Sequence, residues 1–282
     1  MTVDGRATIV RVLGWVGYVL FFAFGLLTLL PIVWMISTSL KPLSESLAWP
    51  IVWIPSPPLW ENYTSAMSHF NFARYAFNSL FIAVMDTILT VTLAALAGYS
   101  LAKFRFFGQR VIFLAILSTL MLPLEAVMVP TFLVVKDLGW LNTYQGLIIP
   151  QLASAFGVFL MRQFMLRIPD SVIEAARIDG AGELRTFFAI ILPMSTPALM
   201  TLSIFAFRES WDSFVWPYLV TTRDEFRTLP LGLQVFQQQY ITNYPEIMAV
   251  STISFIPLVV MFFLFQRGFM QGFGSLSGSH GE

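Results

Sequence analysis

The chain has 282 residues, 57% of them hydrophobic and only 11% charged, with 28 phenylalanines. Soluble domains run to about 45–50% apolar and about 25% charged, so this balance excludes an ordinary soluble fold and points to a polytopic membrane protein. Sixteen basic and sixteen acidic residues cancel, which leaves no net positive charge for nucleic acid, and the lack of cysteine excludes disulfides and thiolate metal sites.

The two histidines, His69 and His280, stand far apart in polar surroundings, so neither a metal centre nor a catalytic residue is expected. A bilayer-crossing helix needs about 20 predominantly apolar residues. Stretches 12–36, 75–101, 111–135, 146–166, 196–220 and 247–265 meet that requirement. The expected fold is therefore all-α: one transmembrane domain over 1–282, with six spans. The first stretch is too long for a signal-peptide core and has no small-x-small cleavage site after it, so it is read as an anchor.

Orientation follows from Lys and Arg in the connecting segments. With the N-terminus inside, Arg6, Arg11, Lys103, Arg105, Arg110, Arg162, Arg167, Arg177, Arg185 and Arg267 fall on the cytoplasmic side. Lys41, Arg74, Lys136, Arg223 and Arg227 fall outside. Both termini are expected to be cytoplasmic. The outer segment 41–74 carries Trp49, Trp53, Trp60 and five prolines, which suits a loop anchored at headgroup level. In the third span, Pro123 and Pro130 bracket Glu125 and predict a kink. No internal repeat is visible at the period of solenoids, and the two halves do not mirror one another as they do in many secondary transporters.

The cytoplasmic segment 167–195 is unusually well specified for a loop. Ser171 and Glu174 have capping-box spacing, and a short helix through Ala175, Ala176 and Arg177 is predicted to stop at Gly180. A second helical stretch with Phe187, Phe188, Ile191 and Leu192 follows, ending around Pro193. The product is a helix–turn–helix elbow on the membrane surface. Its apolar residues Ile173, Ala176 and Phe187 suit lipid, the bundle or a partner equally well.

Charges inside spans are costly and face a bundle interior or a wet cavity. Asp86, Glu125, Arg208, Glu209 and Asp212 are such charges. Arg208 and Asp212 lie four apart and share a helix face. Together with Glu209, Trp211 and Trp216 they are candidates for a substrate pathway, since aromatic rings and paired polar groups suit a neutral sugar. The competing reading is an internal ion pair that holds the fifth helix against its neighbours. Beyond it, the outer segment 221–246 contains Gln237, Gln238 and Tyr240, which suit either a soluble receptor or plain solvent.

The spacing Glu174-Ala175-Ala176, Gly180, then Ile190-x-Leu192-Pro193 resembles the EAA loop of binding-protein-dependent ABC permeases. The extended run EAARIDGA, with Phe187 after it, looks most like the maltose-type carbohydrate permeases. Pro31-Ile-Val-Trp34, Ser39-Leu-Lys41-Pro42, Asn62-Tyr63, Asn78-Ser79-Leu80, the run from Gly98 to Phe104 and Trp216-Pro217 extend the likeness over nearly the whole chain.

The resemblance implies that the elbow is a coupling helix, with Glu174, Ala175, Ala176, Asp179 and Gly180 docking on an ATPase. It further implies a second, homologous permease, two ATPase subunits or domains, an external substrate-binding protein, and residence in a bacterial or archaeal plasma membrane. The segment 221–246 is implied to face the binding protein. The chain has no G-x-x-x-x-G-K-[ST] loop, so it is expected to bind no cofactor itself, with ATP and Mg on the partner. The implied cargo is a sugar or polyol, with glycerol phosphate as the alternative. A proton-coupled secondary transporter and a purely structural scaffold are the readings from other classes.

Overall fold

Residues 3–68, 71–239 and 243–277 are described by the structure, a computed structural model. Among them every regular element is helical. Two compact units emerge, Met1–Phe70 with Phe236–Ser254, and Asn71–Val235 with Phe255–Glu282.

The first unit opens with α1 (Val3–Ser39), followed by α2 (Leu43–Ser46) and α3 (Glu61–Ser68). From residue 14 to residue 33 the side chains of α1 are almost all exposed, Phe21 at 78% and Phe22 at 69%. A helix apolar on every side is a lipid or partner helix. Its C-terminal end is different. Asn62 donates to the carbonyls of Ser39 and Lys41, each at 2.9 Å, and Tyr63 shares a 2.7 Å hydrogen bond with the Ser39 hydroxyl. Trp53 meets Trp34 edge-on at 5.4 Å. The segment after α1 is thus folded around the end of that helix, while Trp49 and Trp60 stay exposed. Lys41, counted above as an outside loop charge, is fully buried with its ammonium 3.9 Å from the centre of the Trp34 ring. Burial pushes its pKa down, and Glu45 acts against that shift.

The second unit is built on α4 (Phe72–Lys103), whose 32 residues extend to about 48 Å, well beyond a hydrocarbon core of about 30 Å. After it come α5 (Gln109–Ser118) and α6 (Leu124–Asp137). The expected kink in the third span is instead a 103° break. Pro123 forces Leu122 into extended backbone (φ −81°, ψ 123°), because the residue before proline clashes in the helical region. Glu125 then sits, exposed, in the first turn of α6, where a carboxylate complements the helix dipole.

The fourth expected span is also divided, into α7 (Tyr144–Ile148) and α8 (Ala155–Met165), with a 48° bend between the segments they head. Ser154 caps α8 by accepting from the Gly157 amide at 3.0 Å. The elbow contributes α9 (Asp170–Ile178), α10 (Glu183–Thr186) and α11 (Leu192–Met194). The fifth expected span becomes α12 (Thr196–Trp211), only 16 residues long, and α13 (Val215–Val220). Helices α14 (Leu229–Gln239) and α15 (Tyr244–Ser277) complete the chain. Among the described residues three helices are long and apolar enough to cross a membrane on their own. Three bent pairs, the third joining Glu183–Met194 to α12 at 79° instead of α12 to α13, raise the number to as many as six.

In lipid, apolar burial is no driving force, and close approach of small residues takes its place. Helices α4, α8 and α12 follow that rule. Ala94, Ala95 and Gly98 of α4 face Gly157 and Met161 of α8, and Leu202 of α12 closes the cluster.

Candidate functional site

Pro169 is the residue flanking α9, so the helix starts at Asp170 and Ser171 lies inside it. The capping box read from Ser171 and Glu174 therefore does not form, and neither side chain makes a hydrogen bond among the described residues. Asp170 instead accepts from the Lys103 ammonium at 2.7 Å, and the same ammonium donates to the Ile168 carbonyl. Lys103 is almost wholly buried, with its side chain 5% exposed. It holds the Asp170 carboxyl below its usual 3.8, with Arg105 assisting.

The stop at Gly180 forms as its chemistry predicts. Gly180 takes φ +79°, its amide donates to the Arg177 carbonyl, and the Ala181 amide reaches back to the Ala176 carbonyl at 2.9 Å. These two bonds make a Schellman motif. Nothing lies within 4 Å of a Cβ built on Gly180, so the glycine is needed for its backbone and not for room. Replacing Gly180 with alanine is expected to destabilise the elbow by about 1–2 kcal/mol, measured as faster amide exchange across 176–182, without loss of assembly.

Beyond the turn, Arg177 forks onto Glu183 at 2.7 and 3.1 Å, and Glu183 also accepts from the Tyr99 hydroxyl at 3.3 Å. A π-turn over Phe187–Ile191 leads to Pro193. A proline ring crowds the carbonyl four residues back, and the wider π-turn relieves that crowding. The elbow has two sides. Ile173, Phe187 and Ile191 are buried in one cluster with Tyr99, Met161 and Met165, and Ala176 is buried as well. Ile178 is 85% exposed, Leu184 71% and Phe188 55%, beside exposed Glu174, Ala175, Asp179 and Gly180.

A second feature lies within the same unit, a cavity of about 220 Å³ lined by Asp86, Gln151, Glu209, Ser210, Trp216 and Thr228, among others. Trp216 is buried, with its indole N–H donating to the Gly146 carbonyl at 3.0 Å. The outer segment is tied to the start of α4. Asn78 donates to the carbonyls of Glu225 and Arg227, each at 2.8 Å, and accepts from Tyr144 at 2.8 Å. Tyr75 bonds Asp224, and Ser79 accepts from the Leu229 amide at 2.7 Å.

Residues 91–273 match the model of the family described as binding-protein-dependent transport system inner membrane component. The chain belongs to that family. Such an inner membrane component is a permease, and relatives agree. The arabinooligosaccharides transport system permease protein AraQ of Bacillus subtilis (strain 168) is 34% identical over 255 residues, covering 89% of this chain and 91% of its own. The sn-glycerol-3-phosphate transport system permease protein UgpE of Yersinia enterocolitica is 36% identical over 231 residues, covering 79% and 82%. The diacetylchitobiose uptake system permease protein NgcG of Streptomyces coelicolor is 32% identical over 256 residues, covering 89% and 84%. A solved chain from a bacterial ABC transporter that imports the acidic polysaccharide alginate superposes with TM-score 0.81 at 26% identity, covering 92% of this chain and 97% of that one.

The candidate residues of this inner membrane component divide unevenly. Of the five elbow residues, Ala176 faces the bundle and only Glu174, Ala175, Asp179 and Gly180 reach the outer surface. Of the five pathway residues, Glu209 and Trp216 line the cavity. Arg208 and Asp212 do pair, at 3.4 Å, with side chains 68% and 48% exposed. Trp211 is buried and stacked on Phe207 at 5.9 Å. Gln237 is half-buried on α14; the Gln238 side chain and Tyr240 lie outside the described residues, as do His69 and His280. Lys103, Ile178 and Leu184 escaped the sequence reading. Lys103 and Asp170 stand 67 positions apart, and an isolated leucine in a loop carries no pattern.

Proposed function

We propose that this permease is one half of a translocation path for a sugar or polyol, paired with a second, homologous permease and driven by two ATPase subunits that bind ATP with Mg. One ATPase docks on the outer side of the elbow, and an external binding protein delivers the cargo to the opposite face. The termini then lie on the ATPase side, in keeping with the charge bias. The observation that carries this reading is the ridge of Ile178, Leu184 and Phe188. Exposed apolar surface beside acidic Glu174 and Asp179 suits a protein partner better than lipid. Small Ala175 next to these residues allows close backbone approach, and Glu174, exposed and with no ion pair among the described residues, is free to meet a cation.

Arabinooligosaccharides and diacetylchitobiose in the names of two relatives support a sugar, while the similarity to UgpE supports glycerol phosphate as a second reading. Leu184→Asp, co-expressed with the cognate ATPase, is expected to abolish co-purification while the permease still reaches the membrane. Undiminished co-purification and transport place the ATPase elsewhere.

A further inference from the structure

The turn that joins α4 to α5 is short and braced. Gly108 takes φ +82°, the Gln109 amide donates to the Phe106 carbonyl at 3.3 Å, and the Gln109 side chain reaches back to the Leu101 carbonyl at 2.7 Å. This leaves Phe107 at the tip, wholly exposed, beside an exposed Phe106. The apolar surface continues from the tip through exposed Val111, Ile112 and Leu114 of α5. Arg105 and Arg110 flank the two rings, both exposed and with no ion pair among the described residues. Asp170 feels the charge of Arg105, but its carboxylate is already held by the Lys103 ammonium at 2.7 Å. No acidic residue occurs in the sequence between Asp86 and Glu125. Depth agrees with charge. At about 48 Å, α4 matches the roughly 40–45 Å of a bilayer with its headgroups, so its ends reach headgroup level. The elbow at the same end of α4 differs, since its exposed Ile178 and Leu184 lie beside acidic Glu174 and Asp179, which anionic lipid would avoid.

We infer that the α4–α5 turn is a docking site for anionic phospholipid, with Phe106 and Phe107 entering the upper acyl region and Arg105 and Arg110 holding the headgroup phosphate. Aromatic rings gain from a place between hydrocarbon and water, and the planar guanidinium of arginine matches a phosphate with two donors. A free phosphate satisfies only half of the site, since it leaves both rings in water. The continuous apolar face from Phe107 to Leu114 names the bilayer as the source. Lipid held here pins the end of α4 from which Lys103 grips the start of α9, and so sets the height of the elbow at the membrane surface.

The absence of native cysteine permits a direct test. Val111→Cys, in the assembled transporter with cysteine-free partner subunits, places one thiol beside the turn while keeping both rings and both arginines. The thiol carries a bimane label, and the transporter is reconstituted in nanodiscs with phosphatidylglycerol or phosphatidylcholine, each brominated on the upper acyl chain and present at equal mole fraction. Quenching of the label measures the relative affinity of the two lipids. Phosphatidylglycerol is expected to be preferred about fivefold or more at low salt. In an Arg105→Gln, Arg110→Gln background the preference is expected to fall to within about twofold, and with both arginines in place it is expected to weaken at high salt. Equal quenching by the two lipids with both arginines in place overturns the anionic site. No quenching by either overturns lipid contact. Quenching that appears only after the ATPase subunits are stripped away assigns the turn to the ATPase and overturns the lipid site as well. In each of these cases the permease reading stands.

Discussion

Replacing Gly98 with leucine is expected to leave no assembled permease. A Cβ at this position falls 2.7 Å from Met161 Cβ and 2.9 Å from the Arg162 amide nitrogen. Neither contact is the end of a flexible side chain, so α8 as a whole must move away from α4. One inserted methyl in a filled interface costs about 1–3 kcal/mol, and the three further carbons of leucine have nowhere to go. The displacement also pulls Arg162 from the Leu101 carbonyl, to which it donates at 3.0 Å, and from the face of Phe113. Gly98→Ala is expected to lower the melting temperature of the detergent-solubilised complex by several degrees. Gly157→Ala, whose new methyl meets Ala94 Cβ at 3.0 Å, is expected to lower it less. Fluorescence-detected size exclusion after heating measures all three variants. Normal assembly of Gly98→Leu would show that the interface between α4 and α8 is looser than these distances require.

Lys103→Met is expected to separate ATP hydrolysis from transport. Methionine keeps most of the apolar stem and removes the ammonium that ties the end of α4 to the Ile168 carbonyl and the Asp170 carboxylate at the start of α9. A hydrogen bond from a charged group contributes about 1.5–3 kcal/mol, so transport is expected to fall about tenfold or more if this tie carries motion from the elbow into the bundle. Basal ATPase activity is expected to persist, while its stimulation by loaded binding protein is lost. Unchanged stimulation would remove the tie from the coupling path. The pH response has a definite sign. The Asp170 carboxyl titrates below 3.8 in the folded chain, so its contribution is complete above about pH 4 and is lost only as pH falls through that lower value. At neutral pH the tie is fully charged, and transport is expected to show no acid limb arising from it.

Much of this architecture could be read from residue order. Apolar length picked out stretches that fold as three long helices and as bent pairs, and Gly180 announced its left-handed turn because few other residues adopt that backbone cheaply. Pro123 announced a break, though not its size, since the angle depends on how α5 and α6 find separate surfaces to cover. The error at Ser171 has a simple origin. The spacing of a capping box is satisfied by the letters alone, whereas the helix starts where Pro169 sets the backbone and where Lys103, far away in sequence, holds Asp170. In the fifth span Arg208 and Asp212 pair as their spacing predicts, at 3.4 Å, although α12 ends at Trp211, one residue short of the second partner. Asp86 stood out as a charge in an apolar run, but its companions Thr228 and Gln151 come from segments that no local pattern connects to it.

The π-turn at Phe187–Ile191 gives the elbow a property that no side chain controls. A π-turn is an α-helix with one residue too many, and each residue of an α-helix turns the chain by about 100°. The wider turn absorbs the extra residue, so the direction of Leu184 is kept although the chain is one residue longer than an α-helix would need. A deletion of Ala189 alone is therefore expected to restore a plain α-helical turn and leave the exposed residues Ile178 and Leu184 facing nearly as before, while Pro193 again crowds the carbonyl four residues back. The extra residue makes room for a proline without turning the elbow.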